Sequence, residues 1–202
     1  MSESRQSGPL RAYTFREAQY YLTVTSCQHC GKGPWLIDDT AVGPAATGGL
    51  TVITARCKNC QAQREFSFVC DYELPRDGAE LELINPTDQP SRIVDLGQWL
   101  SVFYLLVESA ASDDSSVGTR RSGYQAALCL AEALKFYGDD ELPPTSAFFS
   151  ETTAAIFRSH PEKFARQKLR DMQSKLPALH LMARRIARDE RQSRRPWWRL
   201  WR

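Results

Sequence analysis

Four of the six cysteines fall into two pairs, Cys27 and Cys30 in "SCQHCGKG" and Cys57 and Cys60 in "RCKNCQ", which gives C-x₂-C-x₂₆-C-x₂-C. A C-x₂-C pair in a tight turn aims two thiolates at one spot. The residue after the second cysteine favours glycine, so that backbone N–H groups can face the sulfurs. Gly31 meets this requirement. Gln61 does not, and the second turn is expected to be the less demanding one. Two such turns at the ends of a β-hairpin place four sulfurs at the corners of a tetrahedron, the arrangement Zn²⁺ takes in a closed structural site. A closed site leaves no position for water or substrate, so the expected role of the metal is structural. A segment of about 55 residues has too little core to be stable alone, and metal binding then becomes part of its folding.

The elements around the cysteines read as short strands. Tyr20, Leu22 and Val24 alternate with Tyr21, Thr23 and Thr25, a strand period that leads into Cys27. "PWLID" at 34–38, "LTVITARC" at 50–57 and "QREFSFVCDY" at 63–72 are further strand candidates. In the last of these Phe66, Phe68, Cys70 and Tyr72 share one face. "TAVGPAATGG" at 40–49 has loop composition. By spacing and context, residues 18–72 resemble a zinc ribbon. That resemblance implies structural Zn²⁺ held by Cys27, Cys30, Cys57 and Cys60.

Other chemistries fit the cysteines less well. A thioredoxin-like redox pair needs a single C-x-x-C opening a helix, whereas Gly33-Pro34 follows the first pair and a second pair exists. "CQHCG" also resembles the first turn of rubredoxin, and a four-sulfur tetrahedron suits mononuclear iron as well as zinc. The protein would then be an electron carrier. Cys70, on an aromatic strand face, and Cys129, in an Ala/Leu-rich stretch, read as buried small hydrophobes. His29 points outward from within the first turn, and His160 and His180 stand apart from any cysteine or carboxylate pattern. No G-x-S-x-G, H-E-x-x-H or phosphate-binding glycine loop occurs, so no catalytic residue is expected and the protein is read as non-enzymatic. Asp38-Asp39 invites comparison with the acidic tip of transcript-cleavage ribbons. It lies early in the hairpin, beside Leu36-Ile37, and reads as a solvated strand end.

After "NPTDQPS" at 85–91 the pattern becomes helical. Ser91 or Asp95 can cap a helix reaching Ala111, with Ile93, Leu96, Leu100, Phe103 and Val107 on one face. Trp99, Val102 and Leu106 widen that face, as in a central helix. A second helix is expected from Arg121 to Tyr137, carrying Tyr124, Leu128, Ala131 and Leu134, with Gly138 after its end. A shorter one spans 146–158. "SHPE" reads as a capping box from Ser159 to Glu162 opening a helix to Lys175. Pro177 opens a last helix carrying Leu179, Met182 and Ile186. "GYQAALCLAEALKFY" at 123–137 faintly resembles a tetratricopeptide hairpin, without a second copy at the required spacing.

The expected fold is therefore α+β: a zinc ribbon of short antiparallel strands (13–84), then an all-helical bundle (91–191). A polar N-terminus (1–12) precedes these and a basic Trp/Arg-rich tail (192–202) follows. The net charge of +2 hides an asymmetry, because residues 184–202 carry eight arginines against Asp189 and Glu190. The ribbon is balanced, with Lys32, Arg56, Lys58 and Arg64 against Asp38, Asp39, Glu65 and Asp71, which argues against strong phosphate binding there. The expected partner is another protein. Nucleic acid or an anionic membrane surface would be met through Arg194, Arg195, Trp197, Trp198, Arg199 and Trp201. "LGQWLSVFYLLV" at 96–107 is too short to span a bilayer. No signal-peptide pattern opens the sequence, so a cytoplasmic location with reduced thiols is expected.

Overall fold

The computed structural model describes residues 8–42, 49–72, 83–112 and 116–176. The chain divides into two compact units, Met1–Gln98 and Trp99–Arg202. The described part is mixed in class, with a four-stranded sheet followed by helices.

The first unit begins with strand β1 (Leu10–Ala12) and helix α1 (Phe15–Val24). Strands β2 (Trp35–Val42), β3 (Leu50–Cys57) and β4 (Gln63–Cys70) follow. The sheet order is β1-β4-β3-β2. The β2–β3 and β3–β4 pairs are antiparallel, but β1 runs parallel to β4, with Leu10 opposite Phe68 and Ala12 opposite Cys70. The sheet is thus not purely antiparallel, contrary to the expectation from sequence. Parallel pairing needs a crossover, and the chain between β1 and β4 supplies one.

Helix α1 replaces the strand expected at 20–25. The apolar alternation there is real but weaker than the start signal that precedes it. Thr14 has extended backbone and accepts the Glu17 N–H on its hydroxyl. The Glu17 carboxylate turns back to accept the Tyr13 N–H. This is a capping box shifted by one residue at its return bond. Ala18 and Leu22, four apart, are buried on the inner face. Tyr21 meets Phe66 and Phe68 edge-on at 6.4 and 5.8 Å, which lays the helix over β4.

Strand β3 alternates strictly, with Thr51, Ile53, Ala55 and Cys57 buried. With Trp35, Phe66, Phe68, Leu22, Ala12 and Ile84 they make the core of this unit. The register of β2 slips at Asp38, because Ile37 pairs with Ala55 and Asp39 with Thr54. This bulge puts Asp38 outside the ladder.

Helix α2 (Leu96–Ser112) is capped by Asp95, whose carboxylate accepts the Gln98 N–H at 2.8 Å while Gln98 Oε1 accepts the Asp95 N–H at 2.9 Å. Ser91 instead accepts from Ile93 and Val94 in the preceding turn. In the second unit Trp99, Leu100, Val102 and Phe103 are buried, whereas Val107, placed on the buried face from sequence, is 40% exposed.

Helix α3 (Ser116–Leu134) starts and ends earlier than the expected 121–137, and 145–147 is a separate 3₁₀ turn before α4 (Glu151–Ser159). Ser150 caps α4 by accepting the Thr153 N–H at 3.1 Å. Ser159 does not open a helix. It closes α4, its hydroxyl donating to the Ala155 carbonyl, and Pro161–Phe164 is a 3₁₀ turn before α5 (Arg166–Ser174). Helix α3 packs against α5. Phe148 stacks on Phe157, and Phe164 meets both edge-on. The helix expected from Pro177 and the tail 192–202 lie outside the described residues. Among those described, no helix is long and apolar enough to cross a membrane.

Candidate metal centre

The structure brings Cys27, Cys30, Cys57 and Cys60 together, all four sulfurs lying within 4.8 Å of one another. Cys27 Sγ is 3.7 Å from Cys60 Sγ, and Cys30 Sγ is 3.7 Å from Cys57 Sγ. A disulfide would require about 2.0 Å. A tetrahedron with metal–sulfur bonds of about 2.3 Å has edges of about 3.8 Å. The sulfur set therefore has the size of a four-thiolate metal site.

Two different elements deliver the pairs. Cys27 follows the C-terminus of α1, where Thr25 returns its N–H to the Tyr21 carbonyl at 2.9 Å. Cys57 is the last, inward-facing residue of β3, opposite Trp35 in the register. From there the turns are built alike. The Cys27 N–H donates to the Lys32 carbonyl at 2.7 Å, and the Gly31 N–H donates to the Cys27 carbonyl at 2.7 Å. In the second turn Cys57 donates to Ala62 at 2.9 Å and Gln61 to Cys57 at 3.0 Å. Gly31 has φ +71° and Gln61 φ +63°. The second turn is as demanding as the first, contrary to the reading from sequence. Gln61 is held by its side chain, whose Oε1 accepts from Arg56 Nη1 and whose Nε2 donates to the Lys58 carbonyl. The Lys58 N–H donates to the Pro34 carbonyl at 2.9 Å, which ties the second turn to the chain leaving the first.

Cys27 and Cys57 are buried, and Cys30 and Cys60 are half-buried. The two half-buried thiols, Cys30 and Cys60, are driven in opposite directions. A backbone hydrogen bond at Lys32 brings the Cys30 thiol down to about 6. At Cys60 the backbone hydrogen bond at Ala62 pulls the same way, but desolvation and the three neighbouring sulfurs outweigh it and push the thiol up to about 12. A divalent cation removes this conflict, because coordinated thiols are deprotonated outright. Four thiolates around such a cation carry a net charge of −2, and exposed Lys32 and Lys58 flank the ligands in sequence.

Arg56 grips Asp38 through Nε and Nη2 at 3.1 and 3.0 Å. Asp38 is therefore engaged at the bulge beside the second turn, a role its sequence position did not reveal. His29 is exposed. Cys70 is half-buried, its thiol pushed up to about 11 by desolvation, and Cys129 is buried in α3. His160 lies 3.4 Å from Glu162, and His180 is outside the described residues. Among those described, the only group of histidines, cysteines or carboxylates close enough to hold a metal is the four cysteines. No protein-family model, curated protein or solved structure matches this chain.

Proposed function

We propose that the protein is a non-enzymatic, zinc-stabilised adaptor of the cytoplasm. Zn²⁺ on Cys27, Cys30, Cys57 and Cys60 closes an N-terminal zinc ribbon, and a helical bundle provides the contact surface for another protein. The observation that carries the metal reading is the sulfur tetrahedron, with contacts of 3.7 Å against the edge of about 3.8 Å that Zn–thiolate bonds require. All four positions are taken by protein ligands, so the ion serves the fold.

The partner reading rests on the surface of the second unit, where Tyr104, Leu105, Phe149 and Ile156 are 44–59% exposed. Aromatic and aliphatic side chains of this kind anchor protein interfaces. Nucleic-acid binding through the ribbon has less support. Arg56 is paired with Asp38, and Arg11 and Arg92 share Asp71, at 2.9 and 2.8 Å, so two carboxylates offset most of the charge of these three guanidiniums. The same sulfur geometry suits mononuclear iron, which would make the protein an electron carrier.

Elemental analysis of the protein purified without added metal tests the reading. Zinc near one per chain is the expected result. Iron, with the red colour of a ferric tetrathiolate, would replace the adaptor by the electron carrier. The partner is sought by co-purification from the native cell, compared with a Leu105→Asp variant. Capture that is indifferent to this substitution would remove the α2 surface from the proposal.

A further inference from the structure

The four sulfurs are not equivalent. Each 3.7 Å contact joins a buried sulfur of one turn to a half-buried sulfur of the other, Cys27 with Cys60 and Cys57 with Cys30. Each turn thus has one buried and one half-buried cysteine, and the half-buried one stands 3.7 Å from a sulfur of the opposite turn. Sulfur oxidation follows thiolate character and exposure, and it is reversible when a resolving thiol is at hand. Cys70 and Cys129 do not share this placement. Cys129 is buried in α3, and the Cys70 thiol is kept protonated by its surroundings.

Resting on the metal reading above, we infer that the centre is a peroxide-responsive zinc-release site, opened by two disulfides that cross between the turns, Cys30–Cys57 and Cys27–Cys60. The thiolate of Cys30 attacks one oxygen of hydrogen peroxide; the S–O bond forms, the O–O bond breaks and hydroxide leaves. The thiolate of Cys57 then attacks the Cys30 sulfur; the S–S bond forms, the S–O bond breaks and a second hydroxide leaves. Two sulfurs have together given up two electrons, and one peroxide has become two waters after taking up two protons. A second peroxide does the same with Cys60 first and Cys27 resolving. Disulfide sulfurs are no longer thiolate ligands, so Zn²⁺ departs. Closing each contact from 3.7 Å to the disulfide length of about 2.0 Å requires the tetrahedron to collapse, which metal loss permits. A thiol reductant with added Zn²⁺ restores the site.

The test uses the full chain. Metal content is measured before any oxidant is added, and that value alone decides the metal reading. Hydrogen peroxide is then titrated in while a chromophoric chelator records zinc and non-reducing peptide mapping records the cross-links. The expected result is one zinc released per chain together with Cys30–Cys57 and Cys27–Cys60, reversed by reductant and zinc. Zinc retained through the titration, disulfides within a turn (Cys27–Cys30 or Cys57–Cys60), or sulfonic acids without disulfides would each overturn the inference. A Cys30→His/Cys60→His variant keeps four zinc ligands but removes the sulfurs of both half-buried cysteines, and its zinc release should be at least about tenfold slower. Release as fast as in the parent protein would also overturn it. The cross-link map of the parent stands even if this variant fails to fold.

Discussion

Gln61 occupies in the second metal turn the position that Gly31 occupies in the first. Both donate their N–H to the carbonyl of the leading cysteine, and both have positive φ, +63° and +71°. A side chain in this left-handed region costs about 1–2 kcal/mol. A Cβ on Gly31 would meet no atom within 4 Å, so the penalty of Gly31→Ala is conformational only. The expected loss is about 1–2 kcal/mol, read from the urea midpoint of the metal-loaded protein. Gln61→Gly removes the same strain but also the bonds to Arg56 and Lys58, so its expected change is within about 1 kcal/mol of zero. If Gly31→Ala is neutral, the two turns are not built alike in solution.

The turn that the sequence marks least clearly at its N-terminal side is the one fed by α1. Thr14 accepts the Glu17 N–H and donates to the buried Ile84 carbonyl, 70 residues away in sequence. Thr14→Ala removes a helix cap and strands a buried acceptor. A loss of about 2–3 kcal/mol is expected, with Thr14→Ser recovering most of it. Thermal or urea unfolding of the two variants decides this, and equal losses would mean that the methyl packing matters rather than the hydroxyl.

Residues 13–17 also show where local pattern stops being informative. Period-two alternation over Tyr20–Thr25 matched a strand, but the T-x-x-E start signal at Thr14 and Glu17 set the helical period, and apolar spacing within ten residues satisfied both. The cysteine set was legible because metal geometry constrains spacing directly. Strands β3 and β4 were legible because alternation there had no competing cap. The parallel pairing of β1 was not, since three residues carry no periodicity and their partner lies nearly sixty positions away. The role of Gln61 escaped for a related reason: residue type predicts positive φ only statistically, whereas the repeated hydrogen bonds of the turn impose it. Ser159 bore a capping signature that α4 used up for its own last turn.

Asp71 joins Arg11 of β1 and Arg92 of the segment before α2, and Arg92 lies 4.4 Å over the Tyr13 ring. The hydrogen bond from Arg11, followed by that from Arg92, holds the Asp71 carboxyl below its ordinary value. A folded-state pKa that is depressed gives stability present above the unfolded value and lost only as pH falls through the folded one. The contribution is therefore full and flat from about pH 5 to 8. Both arginines are largely solvated, so the expected cost of Asp71→Asn is about 0.2–1 kcal/mol. Urea unfolding at pH 6 and pH 8 should give the same difference between parent and variant. A cost that appears only at the higher pH would mean that another group is titrating.

Within α2 two neighbouring turns divide the labour between core and surface. Trp99 is fully buried and Phe103 is 4% exposed, whereas Leu105 is 59% exposed. Removing a buried aromatic costs the transfer of the ring and leaves a cavity, so Trp99→Ala or Phe103→Ala should lose about 3–5 kcal/mol. Leu105→Asp exchanges one solvated side chain for another and should change stability by less than about 0.5 kcal/mol. The pair of measurements separates two roles for one apolar helix. A small loss at Trp99 would mean that the apolar stretch is not core. A large loss at Leu105 would mean that this residue is covered in solution, and the exposed patch proposed as a protein contact would then be internal to the fold.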